Sequence, residues 1–137
     1  PERFSAVVTI ASNACFVART DWPQAMPSDT FKSFYADMRT DPEKALKRFA
    51  LLVTQSSTQR RHLGKVLQWD CADSQQRLHA LAVLGVLDNR VTLSRGASPV
   101  LHCLAANDAL VPAAAAEPMS HLAGTTGASQ CQSRIAT

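Results

Sequence analysis

Between Pro99 and Pro112 the chain reads P-V-L-H-C-L-A-A-N-D-A-L-V-P, an apolar run that stops abruptly at a carboxylate. Val100, Leu101, Cys103, Leu104, Ala105 and Ala106 have the length and near-continuous apolar character of a strand covered on both faces, as in a parallel sheet with helices on each side. Asn107 and Asp108 end it. Ligands and catalytic groups of open α/β sheets collect just beyond the carboxyl ends of the strands, so Asp108 stands where a functional acid is expected. The residues fit a second reading equally well. Asn and Asp favour turns and helix caps, and Pro112 with the Ala-rich run behind it opens a helix.

Phe4 to Ala11, F-S-A-V-V-T-I-A, is rich in β-branched residues and predicts another buried strand. From Ser12 to Pro27 the chain carries polar residues and Trp22-Pro23, an ordered excursion away from the sheet. A helical pattern then holds from Ser28 to about Asp88. Ser28 caps a helix to about Thr40 with Phe31, Phe34, Tyr35 and Met38 on one face. Asp41-Pro42-Glu43 starts a second, with Leu46, Phe49, Ala50 and Val53 as its apolar stripe. Thr58 begins a third, and Asp73 with Gln76 forms a capping box for a fourth. Residues 89 to 98 return the chain to the sheet, and Pro112 to Ala123 forms a helix interrupted or bent at Pro118. The fold class expected is therefore α/β, with a four-helix lid inserted between two parallel core strands. The boundaries are 1–23 for the first strand and its exit loop, 24–90 for the lid, and 91–137 for the second strand, the acid turn and the following helix. A lid over the strand ends excludes water and shapes a pocket.

The 137 residues are one domain's worth of chain, 46% hydrophobic and 18% charged, which excludes a largely disordered protein. No apolar stretch is long enough to span a bilayer, and a cytoplasmic location is expected. Cys15, Cys71, Cys103 and Cys131 form no C-x-x-C pair and read as reduced, mostly buried thiols, with neither a disulfide framework nor a metal site. A net charge of +3 without interleaved aromatic residues argues against nucleic acid as the partner. The opening at Pro1, running at once into a strand, reads as a piece of a longer protein.

The run P-E-R-F-S-A-V-V-T-I-A-S-N-A-C-F-V-A-R-T-D-W-P, the later L-K-R-F-A-L-L and N-D-A-L-V-P together resemble the pimeloyl-acyl-carrier-protein methyl ester esterases of biotin biosynthesis, from Pro1 to about Ala123. N-D-A-L-V-P alone is shared by many α/β-hydrolases; A-S-N-A-C-F-V-A-R with Trp22-Pro23 is the specific part. The resemblance implies a serine carboxylesterase, monomeric when intact and without a cofactor, acting on an acyl chain carried by acyl carrier protein. Asp108 matches the acid of its Ser-Asp-His triad. Phe49 matches a lid phenylalanine facing the acyl chain, Arg48 a lid arginine that pairs with the carrier, and Lys44 and Arg61 basic positions of the same use. On the residues alone, each of these four is equally a core or solvated helix position.

The departures limit what this chain does by itself. No G-x-S-x-G elbow occurs in it, and the resemblance places the histidine near Ala136, where the chain reads S-R-I-A-T. His62, His79 and His121 fall on predicted helices and His102 within a strand, so none fits the role. The tail after Gly124 no longer resembles the family. The chain alone is expected to be inactive, as part of an esterase; the alternatives are a noncatalytic acyl-carrier-binding remnant, or an esterase of the same fold with a different substrate.

Overall fold

The apolar run after Phe4 forms strand β1 (Val7–Ile10) and the run after Pro99 forms β2 (Val100–Cys103) in the computed structural model, which describes residues 4–67, 73–96 and 98–122. The strands pair in parallel, Val7 opposite Val100 and Ile10 opposite Cys103, as two strands joined by a long crossover must. Both are shorter than the apolar runs that encode them. The expectation of strands covered on both faces is not met: Phe4, Val8 and Ile10 are 67%, 60% and 76% exposed, and β2 is half-buried along its length. Periodicity reports how apolar a strand is, not what lies over it. Directly after β1, Ala11 takes a left-handed backbone (φ 48°), and its N–H donates to the Cys103 carbonyl at 2.9 Å.

Four helices follow: α1 (Ser28–Thr40), α2 (Pro42–Thr54), α3 (Arg60–Val66) and α4 (Ser74–Val86). Asp41 caps α2 as its sequence demands, its Oδ1 accepting from the Lys44 N–H at 3.0 Å ahead of Pro42 in the first turn. Two expected caps do not form. Ser28 is already helical behind Pro27, and the Asp73 side chain makes no capping bond. α1 packs on α2 and α4, and α2 on α3. Phe31 of α1 stands edge-on to Phe16 and stacks on Tyr35, each at 6.3 Å between ring centroids. A Cβ at Gly85 would lie 2.6 Å from the Phe31 ring, so α4 comes this close to α1 because that side chain is missing.

The return segment contains a short helix, α5 (Arg90–Ser94), that the sequence reading did not separate from a loop. Its five residues include β-branched Val91 and Thr92 and span too little for a period to show. Beyond β2, a 3₁₀ turn (Ala113–Ala115) leads into α6 (Ala116–Leu122). Pro118 sits in the first turn of α6, where the missing N–H has no intrahelical partner to lose, and so does not interrupt it.

The tightest packing lies in none of the predicted stripes. Ala14, Cys15, Trp22 and Ala25 of the segment between β1 and α1 close against Ala115 and Met119, with Leu93 and Leu104 at the margin. The Ala14 N–H donates to Met119 Sδ at 3.2 Å inside this cluster. Met119→Ala is therefore expected to cost about 2–5 kcal/mol through lost burial and the cavity left behind. Met119→Leu keeps the volume but removes the acceptor, and should cost about 1–3 kcal/mol for the orphaned N–H. Urea unfolding of both variants checks this; a Leu variant as stable as the parent chain would show that the sulfur contact contributes nothing.

Candidate functional site

Four residues separate the last residue of β2 from Asp108, and the chain turns within that interval. Asp108 holds the turn itself. Its Oδ1 accepts from the N–H groups of Leu110 at 2.8 Å and Val111 at 3.0 Å, while its own N–H donates to the Ala105 carbonyl at 3.4 Å. Val111 is buried, so the far side of the turn is pinned to the core. Oδ2 has no partner among the described residues. One oxygen is thus used to fix the side chain and the other is left to accept a proton donor, the arrangement an orienting acid requires. The turn reading and the acid reading describe the same geometry.

No histidine meets Asp108 among the described residues. His102 lies within β2, its Nδ1 2.7 Å from Thr9 Oγ1 across the strand pair, and burial pushes its pKa below the usual imidazole value. His62 and His79 are on α3 and α4, and His121 is in the last turn of α6. Among the described residues no group of three His, Cys, Asp or Glu side chains could hold a metal ion.

The lid residues singled out from the sequence lie on α2 and α3, apart from the Asp108 turn. Phe49 packs on Phe34 of α1 with ring centroids 5.5 Å apart, at the α1–α2 contact. Lys44 and Arg48 lie one turn apart on the exposed side of α2, and Arg61 is exposed at the start of α3. Arg48 is not a free charge. It pairs with Asp37 of α1, and Lys47 pairs with Glu43 at 2.6 Å. The uncompensated positive charge in this region centres on Lys44, Arg60, Arg61 and Lys65, none of which makes an ion pair among the described residues.

A second cluster of charges lies where the helical insert joins the rest of the chain. The Arg90 guanidinium grips Asp88 through Nε and Nη2, at 3.0 and 2.7 Å, reaches Asp21 through Nη1 at 2.8 Å, and lies over the Trp22 ring at 5.8 Å from its centroid. Arg19 donates to the Val86 carbonyl at 2.7 Å. The Arg90 side chain holds the Asp88 carboxyl well below the usual range and lowers Asp21 too, while the two carboxylates raise Arg90. Burial, and then a side-chain hydrogen bond to Asp88, push the Cys15 thiol up.

No protein-family model matches the chain. Curated proteins do. It is 40% identical over 124 residues to a biotin biosynthesis bifunctional protein BioHC of Cellvibrio japonicus, covering 89% of this chain and 25% of that protein. It is 34% identical over 124 residues to a pimeloyl-[acyl-carrier protein] methyl ester esterase of Nitrosomonas europaea, covering 87% of this chain and 49% of the relative. The chain is homologous to a segment of these esterases. It spans from about a quarter to about half the length of the relatives it matches. An esterase from Exiguobacterium antarcticum superposes with a TM-score of 0.75 at 19% identity, over 92% of this chain and 48% of that one, which shows the α/β-hydrolase fold.

With that homology, the A-S-N-A-C-F-V-A-R-T-D-W-P signature takes on a structural meaning. It supplies Ala14, Cys15 and Trp22 to the buried cluster and Arg19 and Asp21 to the charge cluster; Asn13 receives the Trp22 Nε1–H at 2.9 Å and donates to the Gln24 carbonyl at 2.7 Å. Its residues join elements together. The charge cluster is what sequence reasoning missed. Its only local sign is alternation, R-T-D-W before α1 and D-N-R after α4, and nothing in either run says that they meet.

Proposed function

We propose that the chain is the lid and acid-bearing portion of a serine carboxylesterase that hydrolyses the methyl ester of a pimeloyl chain carried on acyl carrier protein, in the cytoplasm and without a cofactor. The homology supports the class. The observation that carries the site is Asp108, held beyond the carboxyl end of a parallel strand with Oδ1 engaged by two backbone N–H groups and Oδ2 open. In this reading Asp108 accepts the Nδ1–H of a histidine supplied elsewhere in the whole protein, fixes its tautomer and stabilises the imidazolium. The histidine takes the proton of the nucleophilic serine as that oxygen attacks the ester carbonyl. Methanol then leaves, and water hydrolyses the acyl-enzyme. The division into 1–23, 24–90 and 91–137 belongs to the same proposal, as does Phe49 lining the acyl path.

The test keeps the two roles of Asp108 apart. In the whole protein, Asp108→Asn retains a carbonyl oxygen for the Leu110 and Val111 N–H groups, so the unfolding midpoint should barely move. It cannot hold the histidine in the working tautomer, and kcat is expected to fall by up to about 10⁴-fold. A variant that hydrolyses the carrier-bound ester at nearly the parent rate would remove Asp108 from the chemistry and leave it as a turn residue.

The carrier side of the proposal rests on the exposed basic residues of α2 and α3 with Lys44, Arg48 and Arg61 at its centre. Acyl carrier proteins are acidic, and complementarity of this kind raises the association rate and weakens with salt. Because Arg48 is shared with Asp37, Lys44→Glu combined with Arg61→Glu should weaken carrier binding more than Arg48→Glu alone. Titrating labelled carrier protein, with a DNA duplex as competitor, at two salt concentrations measures this. Equal binding by all variants, or preference for the duplex, would leave these residues as a solvated helix face.

A further inference from the structure

The helical packing divides into two groups: α1 to α4 pack among themselves, and α5 packs on α6. The chain passes between the groups at two places, and both crossings are extended. Pro27, entering α1, has φ −55° and ψ 133°, and Leu87, leaving α4, has φ −60° and ψ 132°. Neither peptide is held by helical hydrogen bonding on its outer side, so each can absorb a change of direction. The segments flanking these two residues meet at the charge cluster. Asp21 and Trp22 come from before the insert, and Asp88 and Arg90 from after it.

We infer that the Arg90 guanidinium is the latch of a two-point hinge, holding the entry and exit of the helical insert together so that α1 to α4 keep one orientation over the strand ends. Arg90 suits this by its fork. Nε and Nη2 are fixed on Asp88, only two residues away, which leaves Nη1 aimed across the gap at Asp21 with little freedom left to lose. The Trp22 ring supports the guanidinium plane from the buried side. Arg19 fastens the same two segments from the other direction through the Val86 carbonyl, one residue before the Leu87 hinge. The backbone joins the same two segments through the Asn89 N–H on the Ala14 carbonyl at 2.9 Å, and the Ala18 N–H on the Met26 carbonyl at 2.8 Å fastens the entry segment on itself. Arg90 is therefore a positioning residue, acting on the orientation of the insert. The inference rests on the contacts of this chain and not on the esterase reading.

Hydrogen exchange read by mass spectrometry on the full chain tests it, in Arg90→Gln, Asp21→Asn and, as a control, Lys32→Gln, which breaks the exposed Lys32–Asp29 pair on α1. Both cluster variants should speed exchange several-fold at the boundary amides, Ala18, Met26 and Asn89, with the interior of α2 and the β2 amides unchanged. The control should match the parent chain throughout. Boundary amides that exchange at the parent rate in Asp21→Asn would overturn the latch. So would acceleration spread evenly through α1 to α6 and β2, which would make the cluster an ordinary contributor to global stability. Should Arg90→Gln fail to fold, Asp21→Asn decides alone, since Asp21 is 66% exposed and its loss cuts only the arm that crosses the gap.

Discussion

Burial of the segment between β1 and α1 is the constraint on which the rest of the structure depends. The four-residue strands expose much of their apolar surface, and among the described residues α1 to α5 bury only Met38, Ala45 and Thr54, so neither supplies the main buried cluster. Cys15, fully buried, and Trp22, 5% exposed, do. They sit where the chain leaves the sheet, and α6 comes back to close over them with Ala115 and Met119. A segment with two prolines and several polar residues can enter the buried cluster because its polar groups are satisfied locally: Asn13 serves both the Trp22 indole and the Gln24 carbonyl.

The placement of Asp108 follows from that packing. Leu104, one residue past β2, touches the buried cluster, and Val111 and Ala115 are buried on the other side of the turn. The carboxylate is thereby held between two anchored points, and its Oδ1 closes the turn between them. The lid is positioned more loosely. It meets the segment between β1 and α1 through Phe31 on Phe16 and through the charges around Arg90, while its own helices pack chiefly on one another.

Much of this was legible in the residues, and the gaps have physical causes. The helices α1 and α2 stand where the Phe31, Phe34, Tyr35, Met38 and Leu46, Phe49, Ala50, Val53 stripes place them, and Asp41-Pro42 marks its boundary because cap and proline act within one turn. The parallel pairing of β1 and β2 follows from two apolar runs joined by a long helical crossover. Strand burial was not legible, since an apolar run carries no information on its neighbours. Nor was α5, too short for a period. The Asp108 turn could be located but not assigned, because capping and orienting a histidine ask for the same residue in the same bend. The Asp21–Arg90 contact joins residues far apart in sequence, and the Arg48–Asp37 pair joins two different helices, so neither leaves a sign in the local sequence. The proposed histidine near Ala136 and the tail after Gly124 lie outside the described residues, as do Cys71 and Cys131.

The central claim is that the loop around Cys15 forms the buried cluster on which the sheet and the acid turn rest, and thiol accessibility measures it directly. Alkylation with iodoacetamide, resolved by peptide mapping across a urea series, compares the fully buried Cys15 with the half-buried Cys103 in one sample. Burial removes the Cys15 sulfur from the reagent and raises its pKa, so thiolate and access are both scarce in the folded state. Cys15 should remain unlabelled under native conditions while Cys103 reacts slowly, and should begin to label only at the urea concentration where the whole chain unfolds. Native-state alkylation of Cys15 at the rate of an unfolded peptide would contradict the account.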